Sequence, residues 1–127
     1  MPALSFKKEF VDMVESGKKT QSIRLVGKRQ FRFGDKVYLY TGMRTKQCRK
    51  LGEGIINEVP FSIGMHLNLD PPMLGCSRCD LHRIKNLAQR DGFKDDQEML
   101  QWFQKQYGKK SMFFNVIRWE LIKNDNK

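Results

Sequence analysis

Apolar residues recur along this chain with two periods, and each change of period marks an element. Phe6, Phe10, Met13 and Val14 stand at i, i+4, i+7 and i+8, the spacing of one helical face, which predicts a helix between Ser5 and Ser16 with Ser5 as its N-cap. Gly17 is the expected stop, because glycine enters the left-handed conformation at a helix C-terminus without steric cost. From Thr20 the period is two. Thr20, Ser22 and Arg24 point one way and Ile23 and Leu25 the other, as in a half-buried strand with one polar face. Gly34-Asp35 reads as a turn before a strand over Lys36 to Thr41, with Val37 and Leu39 on one face and Tyr38 and Tyr40 on the other. A further strand region covers Gln47 to Val59, where Gly52 and Gly54 suit bulges or a barrel bend.

The second half begins with little regular pattern. Pro60 to Gly75 holds two glycine positions and the Pro71-Pro72 pair, so residues 60–79 are expected to form a loop insertion that acts as a lid. Asp80 would cap a helix that carries Leu81, Ile84, Leu87 and Ala88 inward and ends at Gly92. Asp95 followed by Glu98 has the form of a capping box opening a second helix, through Leu100, Trp102 and Phe103 to Gly108. Ser111 to Ile122 is an aromatic closing strand. The order helix, strands, helix pair, strand predicts one α+β domain over residues 1–123, built round a small curved sheet or barrel, with a frayed tail at 124–127.

Charge changes the picture once it is located. The formal net charge is +10. Residues 18–50 hold 11 lysines and arginines against the single acid Asp35, while the rest of the chain has 13 of each sign. A field this concentrated attracts polyanions, so RNA or a nucleotide is the leading partner class, and a solvated lysine-rich face is the competing reading. No apolar run approaches a membrane span and the first ten residues lack the apolar centre of a signal peptide, so the expectation is a cytoplasmic protein without membrane contact. Three cysteines do not make a disulfide framework. Cys76, Cys79 and His82 with the distant Cys48 offer zinc-type ligands, but a second close pair is missing and the expectation is no metal and no cofactor.

Several ordered segments resemble the ASCH family of the PUA-like superfamily. They are Phe6-x-x-x-Phe10-x-x-x-Val14, Gly17-Lys18-Lys19-Thr20-x-x-x-Arg24, Phe33-Gly34-Asp35-x-Val37, Asp91-Gly92-Phe93 and the closing strand near Trp119. The resemblance implies a PUA-like small β-barrel with flanking helices and a cleft in which the Gly-Lys-Lys-Thr and Asp-Gly-Phe segments face each other. ASCH domains are similar to RNA-binding or nucleotide-binding modules, and one group of small members hydrolyses the amide of N-acylated cytidine with a lysine, a threonine and a glutamate; others have been linked to ribonuclease activity. Lys19 matches that lysine, Ser22 stands at the threonine and Asp91 at the glutamate. Serine keeps the hydroxyl without the methyl that restricts its rotamer. Aspartate keeps the carboxylate on a stem one carbon shorter, and a displacement on the order of 1 Å can cost about 100-fold in rate.

Two chemistries therefore share one set of residues. For binding, Lys18, Lys19, Arg24, Lys28, Arg29 and Arg32 would hold phosphates, Thr20 and Ser22 would meet sugar or base edges, and Tyr40 would offer a stacking ring. The competing reading for the aromatics is core packing. For hydrolysis, Lys19, Ser22 and Asp91 would be the catalytic set, which requires Lys19 to lose its proton near neutral pH.

Overall fold

A computed structural model describes residues 3–25, 31–75 and 81–122, with only the backbone of 81–84. The described elements are β1 (Ala3–Phe6), a 3-10 turn (Lys8–Phe10), α1 (Val11–Glu15), β2 (Gln21–Leu25), β3 (Lys36–Thr41), β4 (Arg49–Ile56), β5 (Phe61–His66), β6 (Met73–Gly75), α2 (Leu81–Arg90), α3 (Asp96–Tyr107) and β7 (Ser111–Leu121). The expected helix from Ser5 is corrected. Ser5 and Phe6 lie in β1, parallel to β3, and the helical part is a single short turn and α1. Phe6, Phe10 and Val14 are still buried together, because a strand, a turn and a helix in succession bring the same three side chains to one core.

The seven strands run in the order β1-β3-β4-β7-β5-β6, with β2 on β7. They make a bent sheet that does not close, so the expected barrel is corrected to an α+β fold round an open seven-stranded sheet. β7 organises it. Its C-terminal end pairs with β4, and residues 111–116 pair with β5 while 114–118 pair with β2. Ile56 faces Trp119 and Phe61 faces Val116, so five residues of β4–β5 advance against three of β7 and the sheet bends there. The expected loop insertion at 60–79 is likewise corrected over its described part: β5 and β6 occupy it, with Ile63, Met65 and Leu67 in the core. Residues 76–79, the Asp80 cap and the tail 124–127 lie outside the described residues.

Local signals place the helices. Asp95 accepts a hydrogen bond from the Glu98 backbone N–H, the first half of a capping box, while the Glu98 carboxylate reaches past the cap to accept from the Lys94 N–H, so a variant of the box opens α3. α2 ends in a Schellman turn: the Gly92 N–H donates to Gln89 O and the Phe93 N–H to Ala88 O, with Gly92 at φ +96°. α3 lies against β7 through edge-on contacts of Phe103 with Phe114, at 5.1 Å between ring centroids. Across the sheet, Trp119 crosses Gly54 so closely that a Cβ there would sit 2.8 Å from its Cδ1. That interior glycine is spent on the close approach rather than on a turn.

Candidate functional site

The segment Gly17-Lys18-Lys19-Thr20 is held by its backbone at both ends. Gly17 turns the chain out of α1 at φ +81°, the Lys19 N–H donates to Met13 O at 2.9 Å, and the Thr20 N–H donates to Arg90 O at 3.2 Å, at the C-terminus of α2. Trp119 N–H then donates to Thr20 O. Lys18 is exposed, whereas Lys19 is directed inward and is 3% exposed. Asp91 follows the last residue of α2, where the helix dipole disfavours a negative charge. Lys19 offsets this. Its Nζ donates to the Asp91 backbone oxygen at 2.6 Å and lies 3.1 Å from Oδ2.

A second layer holds the pair. Gln21, fully buried, donates from Nε2 to Leu87 O at 2.9 Å and to Asp91 Oδ1 at 3.2 Å. Arg118 Nε donates to Gln21 Oε1 at 2.8 Å and so fixes which end of the amide meets Asp91. Glu58 ties Arg118 to Arg90, at 3.1 and 2.6 Å. A chain of contacts therefore runs from a half-exposed glutamate to a buried lysine. Arg24 supports the other side: its Nε donates to Ser22 Oγ and its guanidinium to Ser5 O, both at 2.6 Å.

Burial sets the direction of each titration. Removal from water pushes the Lys19 ammonium below the usual lysine range, against the pull of Asp91 and with help from Arg24. Burial pushes the Asp91 carboxyl above the usual carboxylate range, opposed by Lys19, Gln21 and Arg24. Arg24 is also lowered by desolvation, with Asp91 acting against the shift. The Lys19 cation sits 4.8 Å from the Phe10 ring centroid, which returns part of what it loses by leaving water.

These groups line a cavity of about 130 Å³. Phe6, Phe10, Trp102, Phe103 and Tyr107 form its aromatic side, and Lys19, Ser22, Arg24 and Asp91 its polar side. The sequence-predicted trio Lys19, Ser22 and Asp91 thus converges on one cavity, with Lys19 and Asp91 in direct contact and Ser22 bonded to Arg24. Arg32 and Lys18 are exposed and Tyr40 is half-buried on β3; none of them, nor Thr20, lines this cavity. Lys28 and Arg29 lie outside the described residues, as do Cys76, Cys79 and the side chain of His82. Cys48 is exposed and free. Among the described residues no cluster of three His, Cys, Asp or Glu side chains is arranged for a metal ion.

The basic stretch is less open than its sequence implies. Lys36 and Lys50 both meet Glu53, Arg49 meets Glu15 and Lys19 meets Asp91. Glu15 and Asp91 are far from their partners in sequence, and Glu53, on β4, meets both its neighbour Lys50 and the distant Lys36 of β3. Gln21, Arg118 and Glu58 were not among the residues singled out from sequence. Their signal exists only once β7 is placed beside β2.

No protein-family model and no curated protein sequence matches this chain. Among solved structures it is similar to the crystal structure of a mutant of ZmASCH from Zymomonas mobilis, with a TM-score of 0.54 and 14% sequence identity over 93% of this chain and 66% of that one. The likeness shows a shared fold. The chain spans about two thirds of that protein's length.

Proposed function

We propose that the cavity is a nucleobase pocket and that the chain binds RNA or a nucleotide by taking one base into it. The observation that carries this reading is a cavity of about 130 Å³ with an aromatic side facing a polar one. A dry cavity of about 150 Å³ accommodates a benzene ring, so this volume suits a single six-membered base better than a purine. The polar side matches cytosine: Lys19 and Arg24 are donors for its carbonyl and ring nitrogen, and Asp91 is an acceptor for its exocyclic amine. The fold shared with an ASCH protein supports a nucleic-acid ligand.

Titration calorimetry with cytidine and guanosine monophosphates tests it. CMP is expected to bind more tightly than GMP. Arg24→Met should weaken CMP about 10-fold through loss of a charge-assisted donor, and Lys18→Met, outside the cavity, should leave it unchanged. Absence of saturable binding by either nucleotide at millimolar concentration would sink the proposal.

A second reading is amide hydrolysis of an N-acylated cytidine. The depressed titration of Lys19, in the cavity that Ser22 also lines, favours it, since a neutral amine can act as a base. In that reaction an oxygen from Ser22 or water bonds to the acyl carbon, the carbon–nitrogen bond breaks, and the leaving nitrogen takes the proton that Lys19 removed from the nucleophile; where Ser22 is the nucleophile, water then cleaves the acyl-serine ester, releasing the acid and returning the proton to Ser22. The shorter stem of Asp91 still reaches Lys19, at 3.1 Å. Chromatography of N-acetylcytidine incubated with the protein is expected to show cytidine. Lys19→Arg, which keeps a cation but supplies no base, should lose at least 100-fold of this turnover and retain CMP binding. Equal turnover by wild type and Lys19→Arg would exclude Lys19 as the base.

A further inference from the structure

The cavity adjoins a sheet face that a single bound base leaves unused. Residues opposite one another in a ladder point to the same side of the sheet. Arg24, which lines the cavity, stands opposite Asn115 on β7, and Asn115 stands opposite Ser62 on β5. On the same face Phe113 is opposite Gly64, and Gly64 is opposite Gly75 on β6. The face therefore passes from buried Ser22, through half-buried Arg24 and Asn115, to Phe113, which is 71% exposed.

Two rings lie on this surface over glycines. A Cβ on Gly64 would come within 3.4 Å of Phe113 Cε1, and one on Gly75 within 2.7 Å of His66 Nε2. The other nitrogen of His66, Nδ1, is 3.3 Å from Ser111 Oγ, also on this face. An exposed phenylalanine forgoes the gain from burial, and glycines inside strands weaken a sheet. Core packing therefore explains neither ring. The described residues of the face include no carboxylate; Met73, opposite His66, adds a 55% exposed thioether, Asn115 and Ser62 hydrogen-bond to each other, and exposed Lys109 and Lys110 lead into β7. Bare rings among amides, hydroxyls and cations suit unstacked bases joined by phosphates.

We infer that this face is a stacking platform for single-stranded nucleic acid: the base next to the one in the cavity stacks on Phe113 and the following one on His66. The ligand is then a strand of about three nucleotides or more, not a free nucleotide. This rests on the nucleobase reading of the cavity.

The test compares CMP with the trinucleotide rCpCpC on wild type, Phe113→Ala and Phe113→Trp. The trinucleotide is expected to bind wild type at least about 10-fold more tightly than CMP. Phe113→Ala should weaken it about 5- to 100-fold, the range of one base–aromatic stack, with CMP affinity unchanged, and Phe113→Trp should restore it. Equal trinucleotide affinity in wild type and Phe113→Ala, or a trinucleotide no tighter than CMP, overturns the platform. So does a loss of self-association in Phe113→Ala with nucleic-acid affinity intact, which would assign the face to a second copy of the chain. If CMP fails to bind but rCpCpC binds and is weakened by Phe113→Ala, the platform stands and the cavity reading falls. If neither probe binds, both fall.

Discussion

Lys19→Ala is expected to destabilise the protein by about 3–5 kcal/mol, the cost of leaving a buried carboxylate without its cation. Asp91 is 3% exposed and sits at a helix C-terminus, so no water and no dipole replaces the ammonium. Asp91→Ala should cost a similar amount from the opposite side, because the ammonium then loses its counterion while remaining buried. The double variant Lys19→Met/Asp91→Leu is expected to lie within about 2 kcal/mol of wild type, since burying a matched pair only roughly offsets its desolvation. Urea unfolding of the three variants checks this. Single substitutions costing under about 1 kcal/mol, or costs that simply add in the double variant, would show that the two charges do not depend on each other.

The same pair gives stability an unusual pH dependence. The folded protein holds the Asp91 carboxyl above its ordinary value of 3.8. Between that value and the raised one the folded state binds more protons than the unfolded state, so the contribution of Asp91 falls as pH rises through the window and recovers as pH drops. A salt-bridged surface carboxylate behaves in the opposite way. The advantage of wild type over Asp91→Asn should therefore grow as pH is lowered from 7 towards 4. Lys19 acts on the alkaline side: its folded value lies below 10.5, so the unfolded state binds more protons there and the cost of burying the ammonium is relieved as pH rises to that value. The advantage of wild type over Lys19→Met should grow correspondingly. Each pH unit within either window changes stability by up to about 1.4 kcal/mol. Unfolding curves across pH 4–10 with the reverse slopes would mean that ion pairing, not burial, dominates both groups.

Much of the fold was legible where the cause is local. Glycines at 17, 34, 92 and 108 all adopt positive φ, Lys36–Thr41 is a strand with the predicted faces, and a variant of the Asp95–Glu98 capping box opens α3. The failures share a different cause. Ala3–Phe6 is a strand because β3 offers it an edge, and the segment from Phe61 becomes strand because β7 covers its backbone. Neither partner can be inferred from residues nearby in the chain. The site divides in the same way. Lys19, Ser22 and Asp91 carried a signal in their types and order, yet Gln21 is an unremarkable strand residue until Arg118, 97 positions later, orients its amide. Sequence also overstated the open positive field, because folding brings Asp91, Glu53 and Glu15 onto Lys19, Lys36 and Arg49, while Lys50 meets Glu53 three residues away.

The central place of β7 constrains when the site can exist. Among the described residues β2 has only β7 as a strand partner, and β5 joins the sheet through β7 and the short β6. Every strand that β7 pairs with precedes it in the chain. During synthesis at roughly 5–20 residues per second, β1, β3 and β4 have each other, but β2 must wait with its backbone edge unpaired for about 90 residues until Ser111–Leu121 has emerged. Lys19 and Gln21 thus become buried late, and a ribosome stalled within α3 would display a chain with one sheet half assembled and no cavity.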